Sequence, residues 1–246
     1  MTGRGRSDLR VYPSPLDVAE AVADLFAGAA RDAMRERGRF CVALAGGRTP
    51  RAAYELLGAE ERREAIDWRR VSVYFGDERC VPPESADSNY KMALEALLSK
   101  VSIPPRNVHR MHGEEQPARA ARAYAKTLIE TMGESPRFDL ILLGMGEDGH
   151  TASLFPGTDP HADEDQLVRA PFVEQLGEHR LTVTPLVINN ARHIGIAVES
   201  ERKSATLALV LSGPLNPIKY PVQAVAPVDG KLEWFADRAA AEKLPP

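Results

Sequence analysis

Residues 139–150 read Asp139-Leu140-Ile141-Leu142-Leu143-Gly144-Met145-Gly146-Glu147-Asp148-Gly149-His150. After its first residue the run is continuously apolar, then it breaks at once into glycine and charge. Continuous apolarity suits a strand covered on both faces, whereas a half-exposed strand alternates. The stretch therefore predicts a buried strand that delivers a polar loop at its carboxyl end. Two further segments have the same form. Residues 40–45 lead into Ala45-Gly46-Gly47-Arg48-Thr49-Pro50, and residues 71–75 lead into Gly76-Asp77-Glu78-Arg79.

Helical patterns separate these strands. Ser14 followed by Pro15 is a helix start, Ser as cap and Pro in the first turn, and the helix runs to about residue 37. Helices are expected over 50–57, near 88–98 with Ser88 as cap, and over 114–132, where Ala118, Ala121, Tyr124, Ala125, Leu128, Ile129 and Met132 fall at helical spacing. Residues 180–183 and 193–198 read as strands, 201–211 as a helix, and Trp234 and Phe235 as part of a late strand. Alternation of this kind implies parallel pairing. The expected fold is an α/β, Rossmann-like three-layer sandwich with a mainly parallel central sheet flanked by helices. Residues 1–246 fit one domain, with room for a small lobe. In such sheets ligands sit beyond the carboxyl ends of the strands, so the loops there carry the functional expectation.

Composition narrows the partners. The chain has 246 residues and a net charge of −4, which gives no basic surface for a nucleic acid. An anionic ligand would have to be met by local cations. No apolar run reaches the roughly 18 residues of a membrane span. Residues 1–7 are basic but lack the apolar stretch of a signal peptide, so the expected location is cytoplasmic. Cys41 lies in an apolar run and reads as a small buried side chain; Cys80 adjoins the charged cluster at 77–79. Two cysteines are too few for a disulfide framework.

Each loop has two readings. The glycines at 46 and 47 let backbone amides approach a ligand, and a helix start at Pro50 would add a positive dipole end suited to phosphate, with Arg48 and Thr49 adding a cation and a hydroxyl. The plain alternative is a tight turn. Asp77, Glu78 and Arg79 line a polar pocket or form a solvated loop mouth, and Arg79 offers a planar fork for phosphate or carboxylate oxygens. The third loop contains a G-x-G-x-x-G after a strand. The motif lies past mid-chain, however, and residues 157–166 are loop-like and acidic, which sets nicotinamide binding aside. His150 beside Asp148 is more informative. An imidazole can take a proton from water while a carboxylate fixes its tautomer. A histidine bonded within a turn is the alternative.

Other candidates carry less. His109 and His112 lack partners at a metal-ligand spacing, His161 reads as exposed, and His179 and His193 flank strands. No metal site and no G-x-S-x-G elbow is indicated. Arg180 opens a strand and Lys203 lies near a helix start; neither stands out alone.

Taken together, Gly46-Gly47-Arg48-Thr49-Pro50, Gly76-Asp77-Glu78-Arg79-Cys80-Val81-Pro82 with Ser88-Asn89, and residues 144–156 resemble the 6-phosphogluconolactonase family of the sugar-phosphate isomerase/deaminase superfamily. Arg180-Leu181-Thr182-Val183-Thr184, Asn189-Asn190-Ala191, Lys203 and Gly213-Pro214 extend the likeness to nearly the whole chain. The resemblance implies hydrolysis of 6-phospho-D-glucono-1,5-lactone to 6-phosphogluconate with no metal and no organic cofactor. It implies His150 as general base with Asp148 orienting it. It places phosphate near Gly46, Gly47, Arg48 and Thr49, with Asp77, Arg79, Arg180 and Lys203 completing the pocket. A monomer or weak homodimer is expected. Ser200 departs from the pattern, standing where the family often has glycine, and Val222 stands where alanine is common. The nearest rival, a glucosamine-6-phosphate deaminase/isomerase, usually carries Ala-Phe-Asn-Glu-Pro where this chain has Ala152-Ser153-Leu154-Phe155-Pro156, and a tyrosine at the place of Arg79. A non-catalytic sugar-phosphate sensor is the rival of a different class.

Overall fold

A computed structural model describes residues 8–158 and 165–245; His161 lies outside them. Among the described residues the strands are β1 (Asp8–Tyr12), β2 (Phe40–Leu44), β3 (Val71–Phe75), β4 (Asp77–Arg79), β5 (Leu140–Gly144), β6 (Val168–Arg169), β7 (Phe172–Val173), β8 (Glu178–Val183), β9 (His193–Val198) and β10 (Lys231–Asp237). The helices are α1 (Pro15–Arg37), α2 (Arg48–Leu57), α3 (Glu60–Glu64), α4 (Asn89–Ala93), α5 (Pro117–Met132), α6 (Pro185–Asn189), α7 (Ser204–Ser212) and α8 (Arg238–Ala241).

Six strands form one parallel sheet in the order β1-β10-β9-β5-β2-β3. Every residue of β2 is buried, so both of its faces are covered. That is the α/β architecture the apolar runs predict. The long helix α1 starts as expected: the Ser14 hydroxyl oxygen accepts from the Asp17 amide, and Gly38 ends the helix at φ 76°. Its buried stripe of Val18, Val22, Phe26, Ala30 and Ala33 packs on the sheet, and Phe26 meets the Phe40 ring edge-on at 5.2 Å.

The order of strands creates a switch point. From β2 the chain moves outward to β3, then returns to the other side of β2 as β5. Loops after β2 and β5 therefore part in opposite directions and leave a crevice between them. The neighbouring strands β3 and β9 flank it, so β3, β2, β5 and β9 present four consecutive loops on one rim. Adjacent strands lie about 4.8 Å apart, which forces those loops close together.

Several boundaries differ from the sequence reading. The helix after β2 begins at Arg48, two residues before Pro50, with Gly47 as its cap residue. Residues 77–79 are a short strand and not a loop, antiparallel to β8 at Asp77↔Thr182 and Arg79↔Arg180. With β6 and β7 they form a second, antiparallel sheet, so the 180–183 strand lies outside the parallel one. Residues 94–98 continue α4 as a wider π-type turn. Helix α5 begins at Pro117 because the Gln116 side chain caps it, accepting from the Arg119 amide. Residues 201–203 form a tighter 3₁₀ turn ahead of α7.

Candidate active site

The glycine turn after β2 is built for close approach. Gly47 has φ 107°, a conformation that side chains resist, and no side chain caps α2, which leaves its first amides facing the crevice. A Cβ on Gly46 would lie 2.6 Å from the Asn89 Cγ, so this glycine admits the Asn89 amide. Thr49 is buried, whereas the Arg48 side chain is 84% exposed and leans toward Glu199, Nε to Oε1 3.6 Å.

Glu78, one of the three charges after β3, proves to be architecture. Its carboxylate accepts from the Asn89 amide at 2.7 Å, the Tyr90 amide at 2.8 Å and the Ser88 hydroxyl at 3.1 Å. Burial holds this carboxyl above its ordinary pKa, with the amide hydrogen bonds working against that. Asp77 ties loops together: its carboxylate accepts from the Ser153 hydroxyl at 2.8 Å and the Asn89 amide nitrogen at 3.2 Å. The Arg79 guanidinium donates to the Asp87 carbonyl. Arg180 faces Glu178 at 2.6 Å, which occupies its charge.

His150 lies in the loop after β5. Its Nδ1 is 2.6 Å from Asp148 Oδ1. An ionised carboxylate can only accept, so Nδ1 carries the proton and Nε2 keeps a free lone pair. Burial pushes the Asp148 carboxyl up, but the hydrogen bond and charge of His150 outweigh it and hold the group below the usual range. The loop is fixed from three sides. Ser153 reaches Asp77, the Thr206 hydroxyl donates to the Glu147 carbonyl at 2.6 Å, and the Val222 amide donates to the Gly149 carbonyl at 3.0 Å. Gly149 has φ 83°, and a Cβ there would meet the Tyr220 ring at 2.8 Å.

Lys203 follows β9. Burial pushes its ammonium pKa down, Glu199 opposes that shift, and Arg48 adds to it. Among the described residues no carboxylate pairs with it within 4 Å. Thus Gly46, Gly47, Arg48, Thr49, Asp77, Asp148, His150 and Lys203 belong to one linked assembly. Arg79 and Arg180 sit side by side on the second sheet. Ser153, Asn89 and Glu199 join the assembly without having drawn attention individually. Asn89 and Ser153 lie in the segments that carry the family resemblance, and Glu199 falls just after a strand.

Elsewhere, His193 lies against Glu233, with Nε2 3.0 Å from Oε1, and burial lowers its pKa while Glu233 opposes that shift. His179 meets the Phe172 ring edge-on at the surface. Burial lifts the Cys41 thiol to about 11, as its apolar run implies. A cavity of about 460 Å³ lies between α1 and the β1 edge, near Tyr12, Asp17 and Phe235, and shares no residue with the four loops. No helix among the described residues is long and apolar enough to cross a membrane. No group of three or more His, Cys, Asp or Glu side chains among them is arranged to hold a metal ion.

A parallel α/β sheet with an imidazole–carboxylate pair and cations on loops around its switch point defines a Rossmann-like α/β protein. Residues 13–234 match the family described as glucosamine-6-phosphate isomerases/6-phosphogluconolactonase, and the chain belongs to that family. It is 39% identical over 219 residues to the 6-phosphogluconolactonase of Synechocystis, covering 87% of this chain and 88% of that one. The solved 6-phosphogluconolactonase of Trypanosoma cruzi superposes with a TM-score of 0.85 at 28% identity, over 98% of this chain and 97% of that one. A monomeric glucosamine-6-phosphate deaminase superposes with a TM-score of 0.81 at 17% identity, over 96% of this chain and 99% of that one, a likeness of fold.

Proposed function

We propose that the chain hydrolyses 6-phospho-D-glucono-1,5-lactone to 6-phosphogluconate, the lactone step of the oxidative pentose phosphate pathway. The observation that carries this reading is the His150–Asp148 pair on a loop tied through Ser153, Asp77 and Asn89 to the glycine turn. The uncapped start of α2 and Arg48 take the phosphate. Lys203, half-buried and without a carboxylate within 4 Å among the described residues, gives a second positive charge, and Arg79 and Arg180 flank the pocket, the latter attenuated by Glu178.

With C1 held by the remote phosphate, His150 Nε2 removes a proton from water as that water attacks the carbonyl. Asp148 stabilises the imidazolium that forms. Collapse of the tetrahedral intermediate expels the ring oxygen, to which the imidazolium returns the proton. A six-membered lactone is an activated ester, so general-base help of roughly 10²–10⁴-fold suffices and metal activation of water is not needed. Arg79 in place of a tyrosine and the segment 152–156 favour this over the deaminase reaction. Consistent with these readings are a single domain in the cytoplasm, a monomer or weak homodimer, and no nucleic-acid partner.

The test is the purified chain with freshly formed lactone, chelator present and spontaneous hydrolysis subtracted. The native chain should turn over. His150→Ala should lose about 10²–10⁴-fold in kcat while binding 6-phosphogluconate within a few-fold. Product binding without turnover by the native chain would instead mark a sensor. Loss of turnover only with chelator would end the metal-free reading.

A further inference from the structure

The imidazole of His150 is confined by more than its hydrogen bond. One face lies on the Phe155 ring, with centroids 4.5 Å apart and planes 29° from parallel. The chain reverses between the two residues. Thr151 and Leu154 pair across a one-step bridge, the Leu154 amide donates to the Thr151 carbonyl at 2.9 Å, and Ala152 takes φ 46°. The Ser153 hydroxyl fastens the turn to Asp77. A left-handed, non-glycine residue is held there only because its surroundings enforce it. The turn it permits returns Phe155 beneath the ring of His150. Close by, a Cβ at Gly146 would lie 2.6 Å from Asp148 Oδ1 and overlap the imidazole, so nothing larger than hydrogen fits. Ring, glycine and carboxylate together confine the imidazole to a slot.

We infer that Phe155 is a positioning residue for His150, holding the imidazole plane so that Nε2 addresses the attacking water and favouring the imidazolium that proton transfer creates. The inference rests on the reading of His150 as general base. The face of an aromatic ring is the negative lobe of its quadrupole and attracts a cation. In the form that acts as base, the imidazolium appears when the water gives up its proton. The ring therefore interacts more strongly in the transition state than with the resting enzyme, and its loss acts on kcat more than on KM. The electrostatic part alone is worth about two- to fivefold. Loss of the ring plane adds to that.

The charged group in contact with the imidazole, among the described residues, is Asp148. Glu147 shares the loop, and Arg48, Glu199 and Lys203 face the crevice from neighbouring strands. Substitution at 155 leaves all of them in place. The experiment compares the native chain with Phe155→Leu, Phe155→Met, Phe155→Tyr and His150→Ala, measuring kcat, KM and the pH dependence of kcat. Phe155→Met keeps an apolar volume without a π-face and serves if the leucine variant does not fold. The leucine and methionine variants should lose about five- to fiftyfold in kcat, with KM changed less than about threefold. The acid limb of their profiles should move to lower pH by roughly half a unit, because the cationic form has lost a favourable neighbour. Phe155→Tyr should restore both. Native kcat and an unmoved limb in the leucine or methionine variant, beside loss in His150→Ala, would overturn this inference alone. So would a tyrosine variant as impaired as the leucine one. Native turnover in His150→Ala would remove the general-base reading and the inference with it.

Discussion

Gly146→Ala isolates geometry from composition. The residue is not in the left-handed region, so alanine fits the backbone and the strain is purely one of space. Its methyl would lie 2.6 Å from Asp148 Oδ1 and nearer still to the His150 ring, while ordinary contact begins near 3.4 Å. The carboxylate must retreat by about 0.8 Å and the imidazole by more. Both partners of the 2.6 Å hydrogen bond are displaced together, from the side where Nδ1 and Oδ1 meet. A displacement of about 1 Å at a reacting group costs roughly 10²-fold in rate. The expected outcome is kcat lowered by about two orders of magnitude, with KM nearly unchanged because the proposed phosphate cradle at 46–49 is untouched. Stability should fall by no more than the lost charge-assisted hydrogen bond, about 1.5–3 kcal/mol. Initial-rate kinetics on fresh lactone, with a thermal melt on the same preparation, measure both. An alanine variant that folds and turns over like the native chain would refute the argument, since it would show that catalysis tolerates an imidazole out of its slot.

Two further outcomes follow from the loop after β9. Ser200 sits at φ 89°, ψ 137°, a region essentially reserved for glycine that costs a side chain about 1–3 kcal/mol. Set against roughly 0.4–1 kcal/mol of added unfolded-state freedom, Ser200→Gly should stabilise the chain by on the order of 1 kcal/mol. Its melting temperature should rise by about 2–4 °C, and an unchanged or lower one in calorimetry would contradict the strain. Lys203 has its ammonium pKa lowered by burial, so it sheds its proton as pH rises at a lower pH than an exposed lysine would. Affinity for a phosphorylated ligand should weaken there, seen as KM climbing on the alkaline side. Lys203→Arg, which stays charged, should flatten that climb; an identical climb in the arginine variant would assign it elsewhere.

The parallel sheet was legible because its signal is local. Apolar continuity at 40–44 and 140–143, and the run at 71–75 broken only by Ser72, reflect burial on two faces, and that survives without knowledge of neighbours. Ser14 and Ser88 were legible as caps for the same reason: a cap is a bond within three residues. What escaped depends on distant pairing. Residues 77–79 carry three charges and no strand pattern, and they are extended because β8 supplies the ladder. Glu78 looked like the most exposed kind of side chain and is buried, since three hydrogen-bond donors from residues 88–90 converge on it. Arg180 opens a strand without standing out, and its partner Glu178, two residues away on the same strand face, shows only in the fold. Ser200 shows the reverse case. It stood out only as a departure from glycine, and its positive φ supplies the physical content of that departure.

The electrostatic balance explains why the site can serve an anion in a chain of net charge −4. Overall charge acts over a distance that salt shortens to about 8 Å, so a ligand in the crevice responds to what lies within a loop's reach. There the groups are unequal in exposure. Arg48 extends into solvent where screening weakens it, and Glu199 stands 3.6 Å from it with a side chain only 12% exposed. Lys203 is the less hydrated cation and lacks a close carboxylate among the described residues. A half-buried ammonium with no carboxylate in contact has lost part of its hydration without a full replacement. A dianionic phosphate arriving beside it removes that penalty, whereas a neutral sugar does not. On the proposed placement of the phosphate, discrimination in favour of the phosphorylated lactone would therefore draw on Lys203 as well as on any contact Arg48 adds.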